Sequence, residues 1–269
     1  VDDLIICVAP YPGEKQEEKF PGNLDVAREV VDAYNAGAAI AHLHVRDADG
    51  LQTIDTSLFQ KDVEKIHARC PVIIEGSTGG APEHTLEQRC ISTTVPGVEM
   101  GSLNLGSVNL WDGVYSNKID DIFLYAEQLK LRNLIPFMDC FDLSHFSCVP
   151  KLADKGLIST PYTFGLVWDI PNALPYTDRY LDFFLQELPD NSIWFLTRHH
   201  APGAAGFMRA LEKGGHVRVG YEDGPFLSSG QRARSNAELV EEVARAGQAL
   251  GRNVVTPDRA RRILGITQG

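Results

Sequence analysis

Short apolar segments alternate with amphipathic ones along the whole chain, and that alternation constrains the fold more than any other feature. Leu4 to Val8, Ala38 to Val45, Pro71 to Glu75, Val98 to Leu103, Ile135 to Phe141, Tyr162 to Val167, Ile193 to Leu196 and His216 to Val219 each read as a short buried strand. Helical segments fall between most of them. Asp25 to Asn35 carries Val26, Val30, Val31 and Tyr34 at helical spacing, with Gly37 placed to end it. Ser57 to Ala68, Ile119 to Leu131, Ser147 to Asp154, Thr177 to Gln186 and Gly203 to Glu212 are the next helical stretches. Near the end, Ser235-Asn236-Ala237-Glu238 reads as a capping box, after which Leu239, Val240, Val243 and Leu250 line one helix face. Thr256-Pro257 then opens a last helix to Leu264. Some eight strands alternating with helices over 269 residues predict an α/β protein of the (β/α)8 TIM-barrel type, whose usual size is about 250 residues. A doubly wound sheet is the competitor, but no GxGxxG follows the first strand. No linker or repeat divides the chain, so residues 1–269 read as one catalytic domain.

Charge and composition narrow the function classes. With 25 Lys+Arg against 36 Asp+Glu the net charge is -11, which argues against general binding of nucleic acid or anionic membranes. The apolar runs are too short for a membrane span, and no basic segment followed by an apolar one marks a signal peptide. The five cysteines show no CxxC spacing, which suits buried thiols in a reduced cytoplasm better than a disulfide framework. A small anionic molecule held in a local basic pocket remains compatible with the charge.

The most informative stretch is Ala41-His42-Leu43-His44-Val45-Arg46-Asp47. Side chains alternate along a strand, so His42, His44 and Arg46 share one face. Two imidazoles two positions apart stand roughly 6.5–7 Å apart at the backbone and can converge on one divalent metal; a pair of core histidines is the bland alternative. In Gly214-Gly215-His216-Val217-Arg218-Val219-Gly220-Tyr221-Glu222-Asp223, Arg218 and Glu222 face the same interior by the same alternation. Glu222 would complete a two-histidine, one-carboxylate site with an open position. Asp223 is a candidate base, or else the partner of Arg218 in a salt bridge that ties a loop. Ser77-Thr78-Gly79-Gly80 follows a strand and offers a hydroxyl and approachable amides to a carboxylate, although it is equally a good turn. Ser102 and Asp139 sit at other strand ends, where they would line the same barrel mouth. His199-His200 after Arg198 could contact substrate, but reads rather as a solvated surface pair.

Taken together, HLHVRD (42–47), STGG (77–80), SLNLGSVN (102–109), CFDLSH (140–145) and GGHVRVGYED (214–223) resemble the beta-keto acid cleavage enzymes. The likeness runs in order through the SNAELVEE helix and the TPDRARRILG tail. The resemblance implies a zinc-dependent (β/α)8 barrel, usually a homotetramer, that condenses a 3-keto acid with acetyl-CoA and releases acetoacetate and a new acyl-CoA. By it, His42, His44 and Glu222 fall on the zinc ligands. Ser77, Gly80 and Ser102 fall on positions that hold the keto acid, with the Gly79 amide beside them; at Ser102 the family often has Thr. Arg218 and Asp223 match the deprotonating pair. Asp139 falls where an acidic residue, often Glu, orients that arginine. Glu14 falls where a family carboxylate meets a cationic substrate tail, as in 3-keto-5-aminohexanoate, the substrate of the family's prototype. The competing readings are a metal-dependent amidohydrolase, with His145 and His199 as further ligands, and a barrel that binds metal or ligand without turnover.

Overall fold

Interior positions of each strand alternate with positions that face the helices, and a closed sheet follows from that period of two. The computed structural model describes residues 2–11, 24–80 and 84–267. Its closed barrel has eight strands: β1 (Ile6–Val8), β2 (Ile40–Leu43), β3 (Ile73–Gly76), β4 (Val98–Asn104), β5 (Ile135–Cys140), β6 (Tyr162–Trp168), β7 (Ser192–Arg198) and β8 (His216–Val219). Neighbours in the chain pair in parallel, and β8 pairs with β1 to close the ring. Outside run α1 (Val26–Asn35), α2 (Ser57–His67), α3 (Leu86–Arg89), α4 (Ile119–Leu131), α5 (Val149–Asp154), α6 (Asp178–Glu187), α7 (Met208–Glu212) and α8 (Asn236–Ala249), with α9 (Pro257–Leu264) last. The expected (β/α)8 barrel is the observed fold.

Local chemistry places the helix ends. Asp25 caps α1 by accepting the Arg28 amide at 3.1 Å, and Val26, Val30 and Ala33 are buried beneath it. Ser235 caps α8 as expected, accepting the Glu238 amide at 3.3 Å. The Glu238 carboxylate reaches one residue further back than a capping box requires and takes the Arg234 amide at 2.7 Å. Leu250 departs from the expected face: it follows the last turn of α8 and is 39% exposed, whereas Leu239, Val240 and Val243 are buried. The helix after β3 is a single turn, too short to show any period in the sequence.

One alternation along the strands builds both core and site. Ile5, Ile40, Ile73, Met100, Phe137 and Phe195 form a buried cluster with Ala260 and Leu264 of α9, which therefore closes the amino-terminal end of the barrel. Two residues further along the same strands stand His42, Glu75, Ser102, Asp139 and Thr197, all buried. The lower half is thus apolar and the upper half polar. Arg261 pins α9 to the barrel rim through both oxygens of Glu99, at 2.6 Å each, and through the Pro71 carbonyl at 2.9 Å.

His216 breaks the apolar floor. Its Nδ1 accepts the Ile5 amide at 3.1 Å, and burial together with the nearby Arg252 charge lowers its pKa from 6.5 to about 3. The folded ring is therefore neutral where the unfolded chain would bind a proton. Its contribution to stability is complete above pH 6.5 and is lost as pH falls from there toward 3. Chemical denaturation between pH 6.5 and 4.5 is expected to show a steeper loss in the wild type than in His216→Gln. The difference should approach one proton, about 1.4 kcal/mol per pH unit; parallel stability curves would refute it.

Candidate active site and metal centre

The sheet register sets the polar residues side by side. Across β2 and β3 the Cα of His42 pairs with that of Glu75, across β4 and β5 Asn104 with Asp139, and across β7 and β8 Thr197 with Arg218. Above them, at the carboxyl ends of the strands, lies a cavity of about 690 Å³. One wall carries His42, His44, Ser77, Ser102, Arg218 and Glu222. Another is apolar, formed by Phe141, Val167 and Ile170, with Leu110 and Trp111 packed on them.

Three of the expected residues converge. His42 Nε2 and His44 Nε2 are 3.2 Å apart, His44 Nε2 is 3.3 Å from either oxygen of Glu222, and His42 Nε2 is 3.6 Å from Glu222 Oε1. A tetrahedron with bonds of about 2.0–2.1 Å, as zinc makes to these donors, has edges of about 3.3–3.4 Å. The three donor atoms therefore stand where three corners of such a tetrahedron belong, and one corner is left for a substrate. Electrostatics point the same way. Burial depresses His42, but Glu75 and Glu222 overcome it and leave the ring's pKa raised, so the surroundings favour positive charge at this point. Burial alone would raise Glu222, yet His44, His42 and Arg218 hold it well below the usual carboxylate range. Burial lowers the pKa of His44 and keeps its ring neutral, as a ligand must be.

Glu75 is the residue that sequence reasoning missed. Its carboxylate is fully buried and stands 2.9 Å from His42 Nδ1, on the side of the ring away from the ligand nitrogen. Such a partner fixes the ring's orientation and raises its basicity toward a metal. The available signal was a lone charge in the otherwise apolar run Val72-Ile73-Ile74-Glu75. Buried carboxylates in that position need a partner.

The Arg218–Asp223 pair exists: Arg218 lines the cavity, and Asp223 is buried against it, behind the cavity wall. Arg218 Nε donates to Asp223 Oδ2 at 2.9 Å, while Nη2 donates to Asp223 Oδ1 at 2.8 Å and to Glu222 Oε1 at 3.0 Å. Against the cost of burial, these carboxylates hold the guanidinium pKa well above its ordinary value. Asp139 faces the cavity, but no hydrogen bond joins it to Arg218 among the described residues, so the orienting contact expected of a longer Glu is not made. Burial first, and the charge of Glu75 second, raise the Asp139 carboxyl to about 7. His199 corrects another expectation. It is not a surface residue: its ring lines the cavity with Nε2 3.6 Å from Asp223 Oδ1, and only His200 is exposed.

The 77–80 segment is both a turn and part of the wall. The Gly79 amide donates to Ser77 Oγ at 3.1 Å, so it acts through that hydroxyl. Ser102 Oγ accepts the Thr78 amide at 2.8 Å, which ties the segment to β4. A Cβ on Gly80 would come within 2.7 Å of Arg89 Cγ, so the position needs glycine for the arginine to pass. Arg89 is buried and in turn grips the Thr78 carbonyl at 3.1 Å. Glu14 lies outside the described residues. His145 is buried away from the cavity, where its Nδ1 accepts the Phe141 amide at 3.3 Å. The ligand set that an amidohydrolase would need is therefore not assembled.

The fold and this cluster define a (β/α)8 barrel with a two-histidine, one-carboxylate centre at its carboxyl mouth. Residues 3–266 match the beta-keto acid cleavage enzyme family. The chain is 37% identical over 277 residues to the 3-keto-5-aminohexanoate cleavage enzyme of Acetoanaerobium sticklandii, covering 100% of each. To the enzyme of that name from Fusobacterium nucleatum it is 38% identical over 275 residues, 99% of each. The 3-oxoadipate:acetyl-CoA acetyltransferase of Cupriavidus necator is 33% identical over 247 residues, 87% of this chain and 83% of that one. The solved apo structure of ObcA shares the fold with a TM-score of 0.75 at 19% identity, over 90% of this chain and 64% of that one. The chain belongs to the beta-keto acid cleavage enzyme family.

Removing the charge of Glu75 tests the cluster as a metal centre. Glu75→Gln is expected to weaken metal binding by about 10- to 100-fold, the usual cost of losing such a partner, in a chelator competition. Unchanged affinity would mean that His42 is oriented by something else.

Proposed function

We propose that the chain condenses a 3-keto acid with acetyl-CoA to give acetoacetate and a new acyl-CoA, using zinc held by His42, His44 and Glu222. The observation that carries this reading is the convergence of those three ligand atoms beside the buried Arg218–Asp223 pair, in a member of this family. When bound, the metal supplies Lewis acidity to the 3-keto oxygen and so acidifies the C2 protons. Asp223 removes a C2 proton, held in place for it by two bonds from Arg218. His199, 3.6 Å from the same carboxylate, is kept neutral by burial and can exchange that proton. Ser77, backed by Gly79 and Gly80, and Ser102 hold the substrate carboxylate so that C2 faces the thioester. Asp139 acts on Arg218 through charge alone. The C2 carbanion attacks the acetyl carbonyl, CoA moves to the former keto carbon, and retro-Claisen cleavage releases acetoacetate.

The relatives of 37% and 38% identity are named for 3-keto-5-aminohexanoate, which makes a keto acid with a cationic tail the first substrate to try, with Glu14 as the tail's partner. The same reading takes the protein as a cytoplasmic homotetramer. No helix of the described residues is long and apolar enough to cross a membrane, and Cys7, Cys70, Cys90, Cys140 and Cys148 are all buried free thiols.

Mass spectrometry on zinc-loaded protein with acetyl-CoA and a panel of 3-keto acids is expected to find acetoacetate and the matching acyl-CoA in equal amounts. Both should vanish in Glu222→Gln, and Asp223→Asn should lower kcat by about 10²- to 10⁴-fold. Metal bound stoichiometrically with no product from any acid would overturn the reading, and product release from an amide or ester without acetyl-CoA would replace it with hydrolysis.

A further inference from the structure

The part of the cavity beside Gly79 is lined by Ser77, His44 and Tyr115, which come from three elements. A Cβ built on Gly79 would lie 3.1 Å from Ser77 Oγ, 3.6 Å from His44 Cε1 and 3.8 Å from the Tyr115 hydroxyl. Tyr115 ends the short hairpin of Val108–Leu110 and Gly113–Tyr115, which follows β4 and folds its ring edge-on to Phe141. The hairpin is absent from the sequence reading because three-residue strands show no usable period.

The hydroxyl's hydrogen bonds are one-sided. It accepts from Arg89 Nη2 at 3.0 Å and from Asn104 Nδ2 at 3.0 Å, and among the described residues nothing accepts its own proton. Ser77 Oγ is in the same state, for it accepts the Gly79 amide. Two hydroxyls, each already served by donors, are left with a proton to give and face one small space next to a metal ligand. Only an acceptor satisfies both, and a negatively charged one does so best. The guanidinium of Arg89 strengthens the case. It is anchored on the Thr78 and Ser116 carbonyls and on Asn117 Oδ1, and it stacks over Tyr115 at 5.2 Å and Tyr125 at 5.0 Å. It therefore holds the phenol rigidly and puts positive charge behind it. Burial raises the phenol's pKa against the opposing charge of Arg89, so the proton stays on the oxygen.

We infer that the Tyr115 hydroxyl, positioned by Arg89 and paired with Ser77, donates to the carboxylate of the bound keto acid in the gap beside Gly79. Tyr115 is then a binding residue that fixes the acidic head of the substrate, whereas the apolar wall meets its tail. This rests on the reaction proposed above, in which that carboxylate is held while C2 is deprotonated.

Tyr115→Phe tests it, because the ring, its packing on Phe141 and its stacking with Arg89 are retained. Acetoacetate is the probe, since it carries the same 3-keto carboxylate head and its binding can be followed by calorimetry without turnover. The variant is expected to bind acetoacetate about 10- to 100-fold more weakly, the span for a lost hydrogen bond to a charged group. The KM for the keto acid should rise by a similar factor, while kcat, the KM for acetyl-CoA, the zinc content and the melting temperature hold. Unchanged acetoacetate affinity would overturn the inference, and so would a joint decline of zinc content, acetyl-CoA KM and melting temperature, which would mark a structural role. Gly79→Ala, which fills the gap from the other side, should weaken acetoacetate too; a tolerated methyl group there would also refute the placement. Wild-type protein that binds acetoacetate but forms no acyl-CoA would sink the proposed reaction and leave the anion gap standing.

Discussion

A guanidinium almost wholly buried governs the upper half of this barrel. Arg218 projects inward from β8 and is 5% exposed, so its charge must be matched by protein groups or it would not remain inside. The match comes from Glu222 and Asp223, four and five residues further along, which the chain reaches only by turning sharply past Gly220. That glycine has φ +151°, and a Cβ there would meet the Ala9 carbonyl oxygen on the neighbouring β1 turn. The turn needed to pair Arg218 with Asp223 also delivers Glu222 to His42 and His44. One desolvated charge thus orders the base candidate and the third ligand together. Removing one member of such a pair leaves the other buried and alone, a cost of about 3–5 kcal/mol.

The charges around Arg218 do not balance on the metal side of the cavity. Glu75, Asp139, Glu222 and Asp223 all act on Arg218 or on His42. Carboxylates gathered at this density raise one another's pKa or attract cations. Both responses are visible: burial and then the charge of Glu75 raise the Asp139 carboxyl to about 7, and His42 is drawn toward a positive state despite its burial. A divalent ion at the three ligand atoms answers that demand directly. The raised Asp139 and the His42–Glu75 contact are what the same field does to protons.

Much of this was legible in the sequence, and what was not has physical reasons. The strands were readable because each is a short apolar run, and His42, His44 and Arg218 were readable because a period of two points them inward; Glu222, expected on the same strand face as Arg218, reaches the histidines from the turn after β8 instead. Glu75 reads as the end of a strand, since a single charge in an apolar run shows burial only once its neighbour is known to be His42. Two adjacent histidines after an arginine look solvated, whereas the first stands in the turn directly after β7 and its ring lines the cavity. Tyr115 and Arg89 lie on elements of three and four residues, below the length at which periodicity carries information. Their pairing depends on a hairpin folding back over the mouth, which no local pattern encodes. Leu250 failed for the opposite reason: the helical period continued in the sequence past the point where the helix stops.

Holding so many charges at one end of a barrel requires stability from the other. The lower interior is a continuous apolar cluster closed by α9, and its arginines serve structure alone. Arg252 donates to the carbonyls of Asp3, Leu211 and Gly214, and Arg261 grips Glu99 and Pro71. These contacts satisfy backbone groups left over where strands and helices begin, where no regular partner exists. The site arginines differ in kind. Among the described residues Arg218 donates only to carboxylates, of which Glu222 faces the cavity, and Arg89 meets a phenol and carbonyls that shape it. The division follows from geometry. Strand amino ends converge on a floor that α9 can seal, while their carboxyl ends lead into loops free to carry Glu222, Asp223, the 77–80 turn and the Tyr115 hairpin. The same period of two therefore yields a packed core below and, above, a set of donors and ligand atoms that suits a cation at the histidines and, on the reading proposed here, an anion beside Gly79.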